Sequence, residues 1–180
     1  MKYKNITKGR GDAGYTDLCL GGKVSKDDAR IYTVGDIDEF HATLGLCHSI
    51  LKESDKKTFL NIQNCLTTLM GEIPCLDENK ESYIEKFGGI TKKDVQFLDD
   101  LKNEIATELD DRNNGQSTWS LYGEKGEASA RLDYSGTVCR RCERQVVFLK
   151  NLGYDIRDEL IVYLNRLSKV LYLFARIYEL

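Results

Sequence analysis

One proline, one tryptophan and two histidines among 180 residues, and no apolar run near the roughly 20 residues that span a bilayer, constrain this chain before any motif is considered. With Pro74 alone, the commonest helix breaker is nearly missing, so long helices can run uninterrupted. Neither sign of charge dominates: 26 Lys and Arg oppose 29 Asp and Glu for a net −3, which implies no nucleic-acid surface and makes any polyanion site local. His41 and His48 fall seven apart on one candidate helix and read as core-edge or interface residues, not as a metal set. The polar, basic N-terminus contains no apolar leader core, and no membrane partner is expected. Six cysteines, at 19, 47, 65, 75, 139 and 142, accompany enough chain for a full core, so reduced thiols in a cytoplasmic protein are expected. Cys139 and Cys142 form a Cys-x-x-Cys without a second pair; as i and i+3 on a helix they read as small core residues.

What is abundant is period-3.6 patterning, which predicts an all-α protein of one domain over 1–180. Glycines at 9, 11, 14, 21 and 22 set residues 1–26 apart as a loop segment, and residues 27–180 as a helix bundle. Ser25 and Asp28 offer capping chemistry for a first helix over 27–52. Ser54 can cap a second that Pro74 stops, and Thr91 with Asp94 opens a third. A fourth carries the stripe Leu132, Ser135, Cys139, Cys142, Val146 and Leu149; a fifth carries Leu160, Leu164, Leu167, Leu171 and Phe174. Five such helices with short connections predict a five-helix bundle.

Two stretches place charge inside these helices: Thr137-Val138-Cys139-Arg140-Arg141-Cys142-Glu143-Arg144 and Tyr163-Leu164-Asn165-Arg166-Leu167-Ser168. Gly136, Arg140 and Glu143 share a face, because steps of four and three return to nearly one azimuth. Spacing leaves two readings open, a solvated charged face or a binding site. The segment Thr7-Lys8-Gly9-Arg10-Gly11-Asp12-Ala13-Gly14-Tyr15-Thr16 combines flexible backbone, cations and hydroxyls that suit a phosphate cradle, without Walker A spacing. Among Asp36, Asp38 and Glu39, Asp38 lies next to the apolar face and is the expected buried partner, while Asp36 and Glu39 can face water.

Taken in order, these segments resemble the PduO-type ATP:cob(I)alamin adenosyltransferases. The resemblance runs through Gly-Asp-x-Gly-x-Thr at 11–16, Gly-Gly-Lys-Val-Ser-Lys-Asp-Asp at 21–28, Gly-Asp-Ile-Asp-Glu at 35–39 and the two arginine-containing stretches. It implies a homotrimer with ATP held between subunits, and transfer of the 5′-deoxyadenosyl group from ATP to cob(I)alamin with Mg2+ present. By resemblance, Thr7, Lys8, Gly11, Asp12, Gly14, Thr16 and Lys26 of the loop, with Arg140, Arg141, Glu143, Arg144 and Asn165, bind ATP. Arg140, Glu143 and Asp38 carry catalysis, and Trp119 closes one face of the corrinoid where the family usually has phenylalanine. A cobalamin reductase or an adenosylcobalamin-dependent enzyme is implied as a further partner.

Four departures fall on that pattern. Gly136 stands where the family has an arginine that pairs with the Asp38 position of a neighbouring subunit, Asp133 replaces a histidine, Lys169 replaces an acidic residue, and Tyr122-Gly123-Glu124 replaces Pro-Gly-Gly. They sustain an alternative expectation: a diverged, weakly active or inactive paralogue that binds ATP or corrinoid as carrier, sensor or regulator.

Overall fold

Asp28 starts the bundle by serving its own helix twice. In the computed structural model, which describes residue 9, residues 11–113 and residues 121–180, its carboxylate accepts from the Arg30 backbone N–H at 2.9 Å and from the Arg30 guanidinium at 3.0 and 2.9 Å. It is therefore the N-cap of α1 (Ala29–His48), two residues beyond the expected start. Ile37, Phe40, Leu44 and Cys47 form the fully buried edge of α1.

Helix α2 (Glu53–Glu72) begins without a side-chain cap, and Ser54, the expected cap, bonds Asp55 inside the first turn. Pro74 follows its end as expected. A turn at Asp77–Asn79 and a short helix α3 (Lys80–Phe87) then intervene, a sixth helix that the sequence pattern did not announce. Eight residues are too few to establish a period, and α3 buries one aromatic, Tyr83, whose hydroxyl takes the space a side chain at Gly71 would need. Helix α4 (Lys92–Asn113) opens as predicted: the Asp94 carboxylate accepts from the Thr91 N–H at 2.8 Å and from its hydroxyl at 2.6 Å.

Helices α5 (Glu127–Asn151) and α6 (Asp158–Ile177) form the axis of the bundle. α5 packs between α1 and α6, α6 also against α4, and α2 against α1. The core is continuous through Phe59, Ile62, Leu66, Leu98, Leu132, Val146, Leu164 and Leu171. One buried charge braces the connections: Glu72, fully excluded from solvent, receives the Arg157 guanidinium at 2.6 and 2.8 Å, and the same guanidinium donates to Ile90 O at 3.0 Å. No helix among the described residues is long and apolar enough to cross a membrane.

The glycine-rich segment is a hairpin and not the loop expected from its composition. Strands β1 (Tyr15–Asp17) and β2 (Lys23–Ser25) pair antiparallel with Thr16 opposite Val24. Its turn rests on the α2–α3 connection: Asn79 donates to Leu20 O at 3.4 Å, and Gly22 lies so close that a Cβ there would meet Leu76 at 2.8 Å.

Candidate active site

The hairpin brings Gly11, Tyr15, Thr16, Asp17, Lys23 and Lys26 around an open cleft of about 560 Å3. The Lys26 N–H donates to Gly14 O at 2.8 Å and the Gly14 N–H to Gly11 O at 3.1 Å, so the segment 11–14 curls back over β2. Gly11 has φ +89°, a conformation that favours glycine, and a Cβ there would also stand 3.2 Å from Tyr15 O. Lys23 lies over the Tyr15 ring at 5.4 Å. Two cations, a hydroxyl and a turn-rich backbone thus converge as a phosphate cradle requires. Asp12 and Gly14 lie exposed on the same segment. Thr7, Lys8 and Trp119 fall outside the described residues.

A second cleft, of about 420 Å3, runs along α5 between Arg140, Glu143, Arg144, Val147, Phe148 and Asn151. Arg140 and Arg144 are exposed and Glu143 half-buried. Glu143 is fixed from α6, since Asn165 Nδ2 donates to its Oε1 at 3.0 Å. Asn165 Oδ1 in turn accepts from Arg166 at 3.0 Å, and Arg166 Nε lies 3.0 Å from Asp99 of α4. Asp99 is held below the usual carboxylate range chiefly by its hydrogen bond from Lys102. Asp99, Lys102 and the supporting role of Arg166 had no signal in sequence, because only the meeting of α4 with α6 creates the chain.

The two clefts lie toward one end of the bundle. Helices α1 and α5 are antiparallel, with Cys142 Sγ donating to Asp36 O at 3.2 Å and Cys47 meeting Ser135 at 3.2 Å. The start of α1, just after the hairpin, therefore lies beside the C-terminal half of α5.

Residues 6–178 match the sequence model of the family described as Cobalamin adenosyltransferase. The chain belongs to the cobalamin adenosyltransferase family. It is 31% identical over 181 residues to a corrinoid adenosyltransferase of Citrobacter freundii, covering 98% of this chain and 96% of that one. It is also 31% identical over 167 residues to the corrinoid adenosyltransferase PduO of Salmonella typhimurium, covering 92% of this chain but only 47% of that longer protein. A variant PduO-type ATP:corrinoid adenosyltransferase from Lactobacillus reuteri, solved with cobalamin and ATP, shares the fold at a TM-score of 0.81 with 21% identity, over 95% of this chain and 91% of that one.

Within this cobalamin adenosyltransferase fold, Arg141 and the acidic residues of α1 form a contact of their own. Arg141 turns away from Arg140 and binds Glu39 of α1, with Asp36 at 3.9 Å, so its guanidinium clamps α1 to α5. Asp36 and Glu39 thereby share Arg141 as a partner, whereas Asp38, expected next to the apolar face, is exposed and makes no hydrogen bond or ion pair with the described residues. The cause is helical geometry: Asp36 shares the azimuth of the α5 contact, and Asp38 lies two steps of about 100° away. Gly136 is buried against α6; an added Cβ would meet Leu171 at 3.7 Å and Ser168 O at 3.8 Å. Lys169 is exposed.

Cys139 and Cys142 are core residues, as their spacing predicted. Each donates to a carbonyl of a neighbouring helix, Leu164 O at 3.4 Å and Asp36 O at 3.2 Å. Burial pushes the Cys142 thiol up to about 12 and Cys139 well above its usual value.

Proposed function

We propose that this protein transfers the 5′-deoxyadenosyl group of ATP to cob(I)alamin, giving adenosylcobalamin and triphosphate. The observation that carries the reading is the Arg140, Glu143 and Asn165 constellation: an exposed arginine beside a carboxylate whose orientation is fixed by an amide from the facing helix. Cob(I)alamin supplies an electron pair that forms the cobalt–C5′ bond. The C5′–O bond breaks, and its electrons leave on the triphosphate. No proton needs to move, so the protein's task is to hold C5′ in line and to stabilise the leaving polyanion. Arg140 and Arg144 supply positive charge at one cleft, and Lys23, Lys26 and the turn-rich backbone at the other.

A homotrimer fits this division, because the hairpin of one subunit can meet the α5 cleft of the next, with Asp38 and exposed Tyr32 on the outer face of α1. Mg2+ accompanies the triphosphate: among the described residues no cluster of three His, Cys, Asp or Glu could hold a metal, so phosphate oxygens and at most a carboxylate such as Glu143 would ligate it. The corrinoid docks at the cavity of about 330 Å3 between the end of α4 and the last turns of α6. Asn113 and Lys125 in its wall bracket the sequence carrying Trp119, and Tyr172, Leu109 and Leu173 offer the apolar surface a macrocycle needs. Asp110 and Glu179 in the same wall would repel a polyphosphate but can accept from the carboxamides around a corrin ring. The chain acts as one domain, 1–26 contributing the nucleotide segment and 27–180 the bundle. Its six free thiols suit the reducing cytoplasm.

The buried Gly136 favours a second reading, a binding protein of low turnover. One experiment separates the two: purified protein with ATP, Mg2+ and chemically reduced cobalamin is followed by absorbance. Conversion to adenosylcobalamin supports the transferase; calorimetric ATP binding without conversion supports the binding protein.

A further inference from the structure

The seam between α5 and α6 carries one ion pair that the constellation around Arg140 does not use. Asp133, buried at 4% exposure, accepts from the Arg176 guanidinium at 2.5 Å across the two helices. The same guanidinium reaches Glu179 at 2.9 Å and lies over the Tyr172 ring at 4.9 Å. Both carboxylates meet the same nitrogen, Nη2, and the Tyr172 face lies against the guanidinium plane, which together hold its orientation. Its Nε is buried and finds no acceptor among the described residues.

A buried donor without an acceptor costs about 1–3 kcal/mol, and burial of Asp133 adds to the expense by pushing its carboxyl up against the pull of Arg176. Such an arrangement is poor as a stability device, since apolar residues fill a helix seam at lower cost. Arg176 and Tyr172 both line the cavity between α4 and α6. Asp133 also lies one turn before Gly136 on α5 and two turns, about 10 Å, before Arg140. Arg176 therefore delivers a cation from α6 to the stretch of α5 in which Gly136 provides none.

We propose that Arg176 binds the corrinoid, donating to an amide oxygen at the corrin rim, and that Asp133 is a positioning residue that acts by holding Arg176 in place. This rests on the adenosyltransferase reading.

The test is steady-state turnover with cob(I)alamin and with ATP varied separately. Arg176→Met is expected to raise KM for cob(I)alamin about tenfold or more, the loss of one hydrogen bond from a charged donor, while KM for ATP stays within about twofold. Arg176→Lys recovers part of that loss, and Asp133→Asn moves the same parameter in the same direction by a smaller factor. If Arg176→Met fails to fold because Asp133 is stranded, the pair Asp133→Asn with Arg176→Met removes both charges at similar volume and is measured in its place. An active wild type whose variant keeps an unchanged corrinoid KM, or shifts both KM values equally, overturns the assignment. A wild type that converts no cob(I)alamin overturns the adenosyltransferase reading itself.

Discussion

Gly136 is the position at which stability and function make separable predictions. Replacing it with alanine adds one atom at ordinary contact distance from Leu171 and Ser168, 3.7 and 3.8 Å, so nothing must move. The helix interior gains about 0.5–1 kcal/mol from the change, which for a chain of this size raises Tm by roughly 1–4 °C. Arginine begins from the same Cβ but must thread six more heavy atoms out of a buried seam. Overpacking of that kind costs about 1–3 kcal/mol, and the new charge stands one turn from Arg140. Gly136→Arg is therefore expected to melt below wild type and to leave turnover unchanged or reduced. Thermal unfolding at fixed protein concentration and the cobalamin absorbance assay read the two effects independently. A gain in turnover of about tenfold or more in the arginine variant, with alanine at the wild-type rate, would refute the reasoning, because a missing cation on α5 would then be the limiting defect.

Other perturbations test other parts of the molecule. Arg157→Ala strands the fully buried Glu72 carboxylate and should cost about 3–5 kcal/mol in urea unfolding; a loss below about 1 kcal/mol would mean that water reaches Glu72. Asp28→Asn keeps a good N-cap but removes the charge that Arg30 holds below the usual carboxylate range. Because the folded value is the lower one, wild type should exceed the variant in stability above the unfolded pKa near 3.9, and the difference should vanish as pH falls through the folded value. Cys19, the exposed thiol, should react first with a bulky aromatic disulfide, while Cys139 and Cys142 stay silent until denaturation; fast labelling of either would contradict their burial. Asn165→Ala should lower kcat/KM for ATP roughly 10- to 100-fold with little change in Tm, and an equal fall in both would make Asn165 structural.

The long helices were legible because each repeats an apolar stripe over several turns, as Leu132, Cys139, Val146 and Leu149 do on α5. The cap at Thr91 and Asp94 was legible too, since its geometry is local. Helix α3 was not, because one buried tyrosine gives no period, and neither was the hairpin, whose three-residue strands are set by pairing and not by composition. At the site, Arg140, Glu143 and Asn165 were recognisable by type and spacing, yet the hydrogen bond from Asn165 to Glu143 depends on the register of α5 against α6. That Asp36 and not Asp38 meets Arg141 had the same origin. Both are acidic residues on one turn, and only the position of Arg141 decides which one is occupied. Arg166 to Asp99 joins residues 67 positions apart on helices whose neighbourhood no single stripe specifies.

The connection between α2 and α3 gives the glycine-rich hairpin a seat. Since the hairpin turn rests on Leu76 and Asn79, the placement of its strands and of the curl from Gly11 to Gly14 depends on that support. Leu76 is then the bearing under the hairpin, outside the cleft that Gly11, Lys23 and Lys26 line. Shortening it to alanine would leave every ligand-facing group in place and still loosen their alignment. The shape of that cleft can thus be tuned from a residue outside it, by trimming the side chain on which the hairpin rests.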